Sequence, residues 1–164
     1  MMSNFSIRAI QQMMDALVHM YVQFGTFACI SGFNNKTGED RTGELARDLE
    51  SYGFFVVSGS GNYKGTKEPS LLVTRLDAPL SSADHAVLVS RAFAYGQESY
   101  FSAHRDGSTD RFTPRRYDLV YTGIDAPTHL PQEAESIGSA LMVGPSALAL
   151  DFYSDFCGTA FAAV

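Results

Sequence analysis

Two carboxylates, Glu68 and Glu98, each stand just before an apolar run, among side chains that donate and accept hydrogen bonds. In "NYKGTKEPSLLVTRL", Tyr63, Lys64 and Glu68 precede a smooth apolar stretch that Ser70 opens. In "YGQESYF", Gln97 and Glu98 precede another, and "ISGFNN" puts Ser31 and Asn34 at the end of a third, with Arg41 further on. If these strand ends are neighbours, their side chains form one polar cluster at the end of a sheet, where function is commonly mounted on a rigid scaffold. Carboxylates, amides, hydroxyls and basic groups together suit a polar small molecule, and Tyr63 or Phe33 could stack on its ring. Ser31, Asn34, Arg41, Tyr63, Lys64, Glu68, Ser70, Gln97 and Glu98 are therefore the candidate ligand-binding residues. Catalysis is the competing use of the same cluster: Glu68 and Glu98 as a general acid and base, assisted by His104 or Tyr63, in a small hydrolase or transferase. The plain alternative makes the two glutamates solvated turn residues and Gln97 the end of a helix.

Other chemistry lacks its motif. "GSGNYKG" resembles a phosphate loop only superficially, since it lacks the G-K-[ST] ending and no helix follows it. His19, His85, His104 and His129 never fall at H-x-x-x-H or H-E-x-x-H spacing, so no metal is expected, and no G-x-S-x-G elbow exists. Cys29 and Cys157 have no zinc spacing and apolar neighbours; two buried thiols are expected, with a disulfide left open. No cofactor is expected. With 18 acidic against 12 basic side chains the formal charge is -6, which repels phosphate backbones and anionic headgroups. Nucleic acid and membranes are thus not expected partners; a polar small molecule or a host protein with a basic surface is. The opening segment lacks the basic and unbroken apolar regions of a signal peptide, so a cytoplasmic location is expected.

The elements that must position these residues follow from periodicity. At 164 residues and 45% hydrophobic content, one domain is expected. Residues 1–25 read as an amphipathic helix carrying Ile7, Ile10, Met14, Leu17, Val18 and Tyr21, capped by Ser3 or Asn4 and stopped by Gly25. Its methionines Met13, Met14 and Met20 are expected to fill core rather than form a docking face. A strand at 27–33, a helix at 41–53 closed by Gly53, a strand at 54–61, a turn "NYKGTKEP" and a strand at 70–76 follow. Ser81 or Ser82 should cap a helix that Gly96 closes, and strands at 98–104 and 116–123 flank the turn "RDGSTD". Residues 27–123 form the expected core, and 124–164 a C-terminal extension. In that extension Pro127 and Pro131 restrict helix, and the apolar run 146–164 is a helix or strand that completes the core or, less favoured, a homo-oligomer interface. The expected fold class is α+β, a mostly antiparallel sheet with helices packed on one face and the N-terminal helix added.

Three blocks, "ISGFNN", "YGFFVVSGSGNYKGTKEPSLLV" and "YGQESYF", resemble in order a poorly characterised family of bacterial and phage proteins, catalogued as a domain of unknown function, over about residues 27 to 104. Its pattern is a strand ending in Ser plus a small residue, a polar helix, and a strand starting Gly-aromatic. A glycine–aromatic turn, an E-x-S strand and a helix closing in YGQ[ED]S follow. Here Gly32 follows Ser31, and Pro69 stands inside the E-x-S step. The resemblance implies a fold and a site at these polar blocks, and supplies no reaction. Together with the acidic charge and the absent catalytic motifs, it leads us to expect a small binding protein of a phage or mobile element, acting in the host cytoplasm. Such a protein would sequester a nucleotide-like molecule or block a host defence protein, as a counter-defence inhibitor.

Overall fold

The computed structural model describes residues 4–63, 65–105, 115–124 and 134–164. Helix α1 (Asn4–Phe24) leads into β1 (Phe27–Ile30), α2 (Thr42–Ser51), β2 (Phe55–Tyr63), β3 (Thr66–Thr74), α3 (Ser82–Ala94), β4 (Ser99–Arg105) and β5 (Arg115–Tyr121). This order matches the one expected from periodicity. The local signals explain it: Ser81 forms a capping box with Asp84, and Gly53 and Gly96 take φ of +87° and +77° just after their helices. Lys64, His129 and nearly all of the turn expected at "RDGSTD" lie outside the described residues.

The strands depart from expectation in two main places. β2 and β3 run on through "NYKGTKEP" as a tight hairpin that pairs Tyr63 with Thr66, so Glu68 and Pro69 belong to a strand rather than a turn. Pro69 is tolerated because β1 already ends at Ile30, opposite Leu71, and the side of Pro69 that would present an N–H faces no strand there. The Ser31 hydroxyl donates to the Pro69 carbonyl at 2.7 Å in place of a ladder bond. The strand at 116–123 is not the last: β6 (Ala134–Gly138), β7 (Leu141–Val143), a 3-10 turn (Pro145–Ala149), β8 (Phe152–Phe156) and β9 (Thr159–Ala163) follow.

Among the described residues nine strands form one antiparallel sheet, ordered β6-β5-β4-β1-β3-β2-β8-β9-β7. Its two edges, β6 and β7, are joined in sequence by Ser139 and Ala140, whose N–H groups donate to the Val164 carbonyl at 3.2 and 3.3 Å. Gly138 permits this closure, since a Cβ there would meet the Val164 oxygen at 2.8 Å. The sheet thus bends into a nearly closed, barrel-like wall with an inner and an outer face. The tail expected as an extension is part of that wall and completes the core.

Helices α2 and α3 share one face, as expected, but the sheet they cover is a nearly closed barrel rather than an open layer, and the added helix α1 packs on its inner face. Leu45 and Leu49 of α2 and Leu88, Val89 and Ala92 of α3 pack outside, on Ala28, Ile30, Leu71 and Val73. Val18 and Val22 of α1 pack inside, on Phe27, Cys29, Leu72, Phe156 and Phe161. Strand alternation forces this division, because successive residues point to opposite faces. Of the methionines, Met14 packs against the inner core, whereas Met13 and Met20 are 70% and 48% exposed and are not core filler. No described helix is long and apolar enough to cross a membrane.

Candidate functional site

The inner face is filled at one level and hollow at the next. At the filled level Cys29 stands opposite Leu72 and Phe101, and Phe27, Phe101 and Phe161 meet with ring centroids 5.4 to 6.3 Å apart. Toward the β2–β3 hairpin the inward positions become small: Ser31 on β1's continuation, Ser70 on β3, Gly61 on β2, Ser99 on β4 and Ser154 on β8. Small side chains facing one another inside a barrel leave room, here a cavity of about 730 Å³. That volume lies in the range of small-molecule sites. The floor is aromatic, and the mouth carries Tyr63 against Phe152, ring centroids 4.7 Å apart at 71°.

Glu68 projects into this cavity. It pairs with Gly61 across β2–β3, and Gly61 pairs with Ser154 across β2–β8, so the carboxylate enters where the opposing wall has least bulk. No protein group among the described residues forms a hydrogen bond or ion pair with it. Burial raises its pKa above the ordinary 4.5. The sign of the linkage follows: a group whose folded pKa is raised stabilises fully below its unfolded pKa, and that contribution is lost as pH rises through the folded value. At neutral pH the ionised Glu68 therefore weighs against the unliganded fold. Glu68→Gln should melt above the wild type at pH 7, and the gap should shrink toward pH 4. Melting curves at the two pH values check this; a variant that melts lower at pH 7 contradicts it.

The remaining expected site residues separate into lining and non-lining groups. Ser31, Asn34, Tyr63, Ser70, Gln97 and Glu98 all line the cavity with Glu68. Several are already engaged. The Ser31 hydroxyl donates to Pro69 and accepts from the Phe33 N–H at 3.0 Å, and the Asn34 side chain accepts from the Lys36 N–H at 2.9 Å, folding the loop after β1. Gln97 donates to the Phe33 carbonyl at 2.9 Å, tying that loop to the entrance of β4. Glu98 is exposed at the rim. Arg41 is not among the lining residues: its guanidinium pairs with Glu44 at 3.1 Å and lies over the Tyr95 ring, so it is no partner for Glu68. Lys64 lies outside the described residues.

His104 is on the other face. It shares β4 parity with Tyr100, whose ring belongs to the outer core, and its ring lies 6.1 Å from His85 of α3. Its Nδ1 is 3.2 Å from the Ser102 hydroxyl and its Nε2 3.3 Å from Asp118, which Arg116 also contacts at 3.3 Å. The sequence Ser, His, Asp invites a catalytic interpretation, but the Ser102 side chain is wholly buried between β1 and β5, beyond reach of a substrate. The contacts instead balance a buried carboxylate. His104 therefore shares no site with Glu68 and Glu98.

Sequence reasoning missed half the wall: Leu119 and Tyr121 of β5, Ile137 of β6, Phe152 and Ser154 of β8, Phe161 and Ala163 of β9. Two short runs carrying aromatic residues, "FYSDF" and "TAFAA", on either side of Cys157 and Gly158 were the available hairpin signal. Cys29 sits in the floor with its thiol pKa pushed up by burial, opposed by a hydrogen bond with Ser154, and is thus a poor nucleophile. Cys157 turns the β8–β9 hairpin at φ +50°, and both cysteines are free. Among the described residues no three His, Cys, Asp or Glu side chains gather as metal ligands.

The fold and the site define a nearly closed antiparallel barrel with an internal cavity open at one end. The chain matches no protein-family model and no curated protein.

Proposed function

We propose that the protein is a small-molecule-binding barrel that holds its ligand without turning it over. The observation that carries this is the cavity of about 730 Å³ behind a mouth built from the expected polar residues. Binding is favoured over hydrolysis by how the polar groups are used. Ser31, Asn34 and Gln97 are committed to holding the loops, and His104, which would have assisted the carboxylates, faces away. The resemblance of residues 27 to 104 to bacterial and phage proteins extends the proposal to a role: a phage or mobile element would use the barrel to withdraw a small molecule from its host as counter-defence.

Native mass spectrometry of the protein purified from cells, set against its denatured mass, tests this. A discrete mass lost on denaturation, whose identified compound raises the melting temperature, is the expected result. An apo mass together with capture of a host protein on the acidic surface would replace sequestration by blockade.

A further inference from the structure

The cavity carries an electrostatic signature that narrows its ligand, and the narrowing rests on the cavity being a ligand site. Its described lining holds two carboxylates, Glu68 and Glu98, against one cation, Lys36, which is exposed at the mouth on the loop after β1. No arginine is among its described lining residues. A phosphate placed inside would face Glu68 without the bidentate donors that phosphate sites employ. Glu68 is the one lining carboxylate that is half-buried, and it meets no protein cation among the described residues. A half-buried, unpaired carboxylate aimed into a cavity is an acceptor awaiting a donor.

The surroundings of Glu68 specify the rest of the molecule. Tyr63 is two residues from Gly61, the cross-strand partner of Glu68, so it is the diagonal neighbour, with Cβ atoms about 7 Å apart. Its ring packs on that of Phe152 at the mouth, where aromatic faces favour a cation. On the other side, Leu72 marks the floor four residues along β3, about 13 Å from Glu68 along the strand. Phe101 and Phe161 stand there with ring centroids 6.3 Å apart. That span accommodates an aromatic body of about two fused rings, with its far end on the floor and its polar end at the carboxylate.

We propose that the cavity takes an organic cation, an aromatic body bearing one protonated amine, with the ammonium on Glu68 and the ring system against Phe101 and Phe161. The ligand would thus be an arylalkylamine rather than a nucleotide. Ion pairing would also relieve the cost of ionising Glu68 in its half-buried position, coupling occupancy to stability.

Three probes of one skeleton test the charge: naphthylmethylammonium, naphthylmethanol and naphthoate, titrated calorimetrically at neutral pH and low salt into wild-type protein and Glu68→Gln. The ammonium should bind about tenfold to a hundredfold tighter than the alcohol, with naphthoate weakest, and Glu68→Gln should close the gap between ammonium and alcohol. Melting curves of the variant establish that it is folded. Equal affinities for ammonium and alcohol would overturn the cation while leaving the cavity a binding site. Tightest binding by naphthoate, or by a nucleoside monophosphate added as a fourth probe, would reverse the charge assignment. Refusal of every probe by a folded wild type would overturn this ligand class; the compound identified by mass spectrometry would then judge the binding role separately.

Discussion

Gly61→Leu is expected to weaken ligand binding sharply and leave the barrel folded. Gly61 faces the cavity from β2, between Glu68 on β3 and Ser154 on β8. A Cβ at this position would lie 3.8 Å from the Ser70 Cβ and 4.0 Å from the Tyr153 carbonyl, which is ordinary contact, so the backbone accepts a side chain. Glycine inside a strand costs about 0.5 to 1 kcal/mol relative to alanine, so the substitution removes an entropic penalty while it fills the hollow. The branched side chain would occupy the space beside the Glu68 carboxylate. Titration of whichever compound the native mass identifies should show affinity lowered by about a hundredfold or more, equivalent to about 2.7 kcal/mol. The melting temperature should stay at or above the wild-type value. Retained affinity in the folded variant would place the ligand elsewhere and remove the cavity from the account.

Two residues earlier on the same face, Gly59→Ala should have the opposite profile. A Cβ at Gly59 would overlap the Phe156 ring and the Asp155 carbonyl oxygen. Neither can yield cheaply. Phe156 is fully buried and stacks on Phe161 with centroids 6.1 Å apart, and Asp155 is held in register opposite Ser60. β8 must therefore retreat from β2, and the β2–β8 pairing is the ladder that joins β8, β9 and β7 to the other six strands. Overpacking of this kind, with backbone displacement added, costs about 2 to 4 kcal/mol. For a chain of this size that lowers the melting temperature by about 5 to 15 °C. Urea denaturation gives the direct measure; a loss under about 1 kcal/mol would mean that the β2–β8 contact adjusts freely. Read together, the two glycines separate room for the ligand from room for a strand.

Much of this architecture is local and legible. The apolar repeat of α1, the capping box that Ser81 and Asp84 build, and the left-handed stops at Gly53 and Gly96 depend on neighbours a few residues away, so residue types alone predict them. The same holds for the short connections that make the sheet antiparallel. Seven of the residues expected to bind a ligand do line one cavity, because a strand's end is readable and strand ends meet when neighbouring strands pair in antiparallel fashion. Where expectation failed, a local rule was ambiguous. Glu68 and Pro69 have turn composition, yet β3 runs through them because β2 continues beside them. Met13 and Met20 share a periodicity with core residues, but nothing among the described residues covers their side of α1.

The sequence by itself determined the elements from α1 to β5, their order and the alternation that puts Ser70 and Leu72 on one face of β3 with Leu71 and Val73 on the other. Tertiary structure alone decided that the first face is the inside. Alternation with a period of two divides a strand into two sides without naming either, and both sides of β3 are buried. The choice came from β8 pairing with β2 some ninety residues later, and from Ser139 and Ala140 joining the two edges of the sheet. These long-range pairings leave no mark within either segment. They turn a glutamate that residue type alone leaves between a solvated turn and a binding site into a half-buried carboxylate facing a cavity.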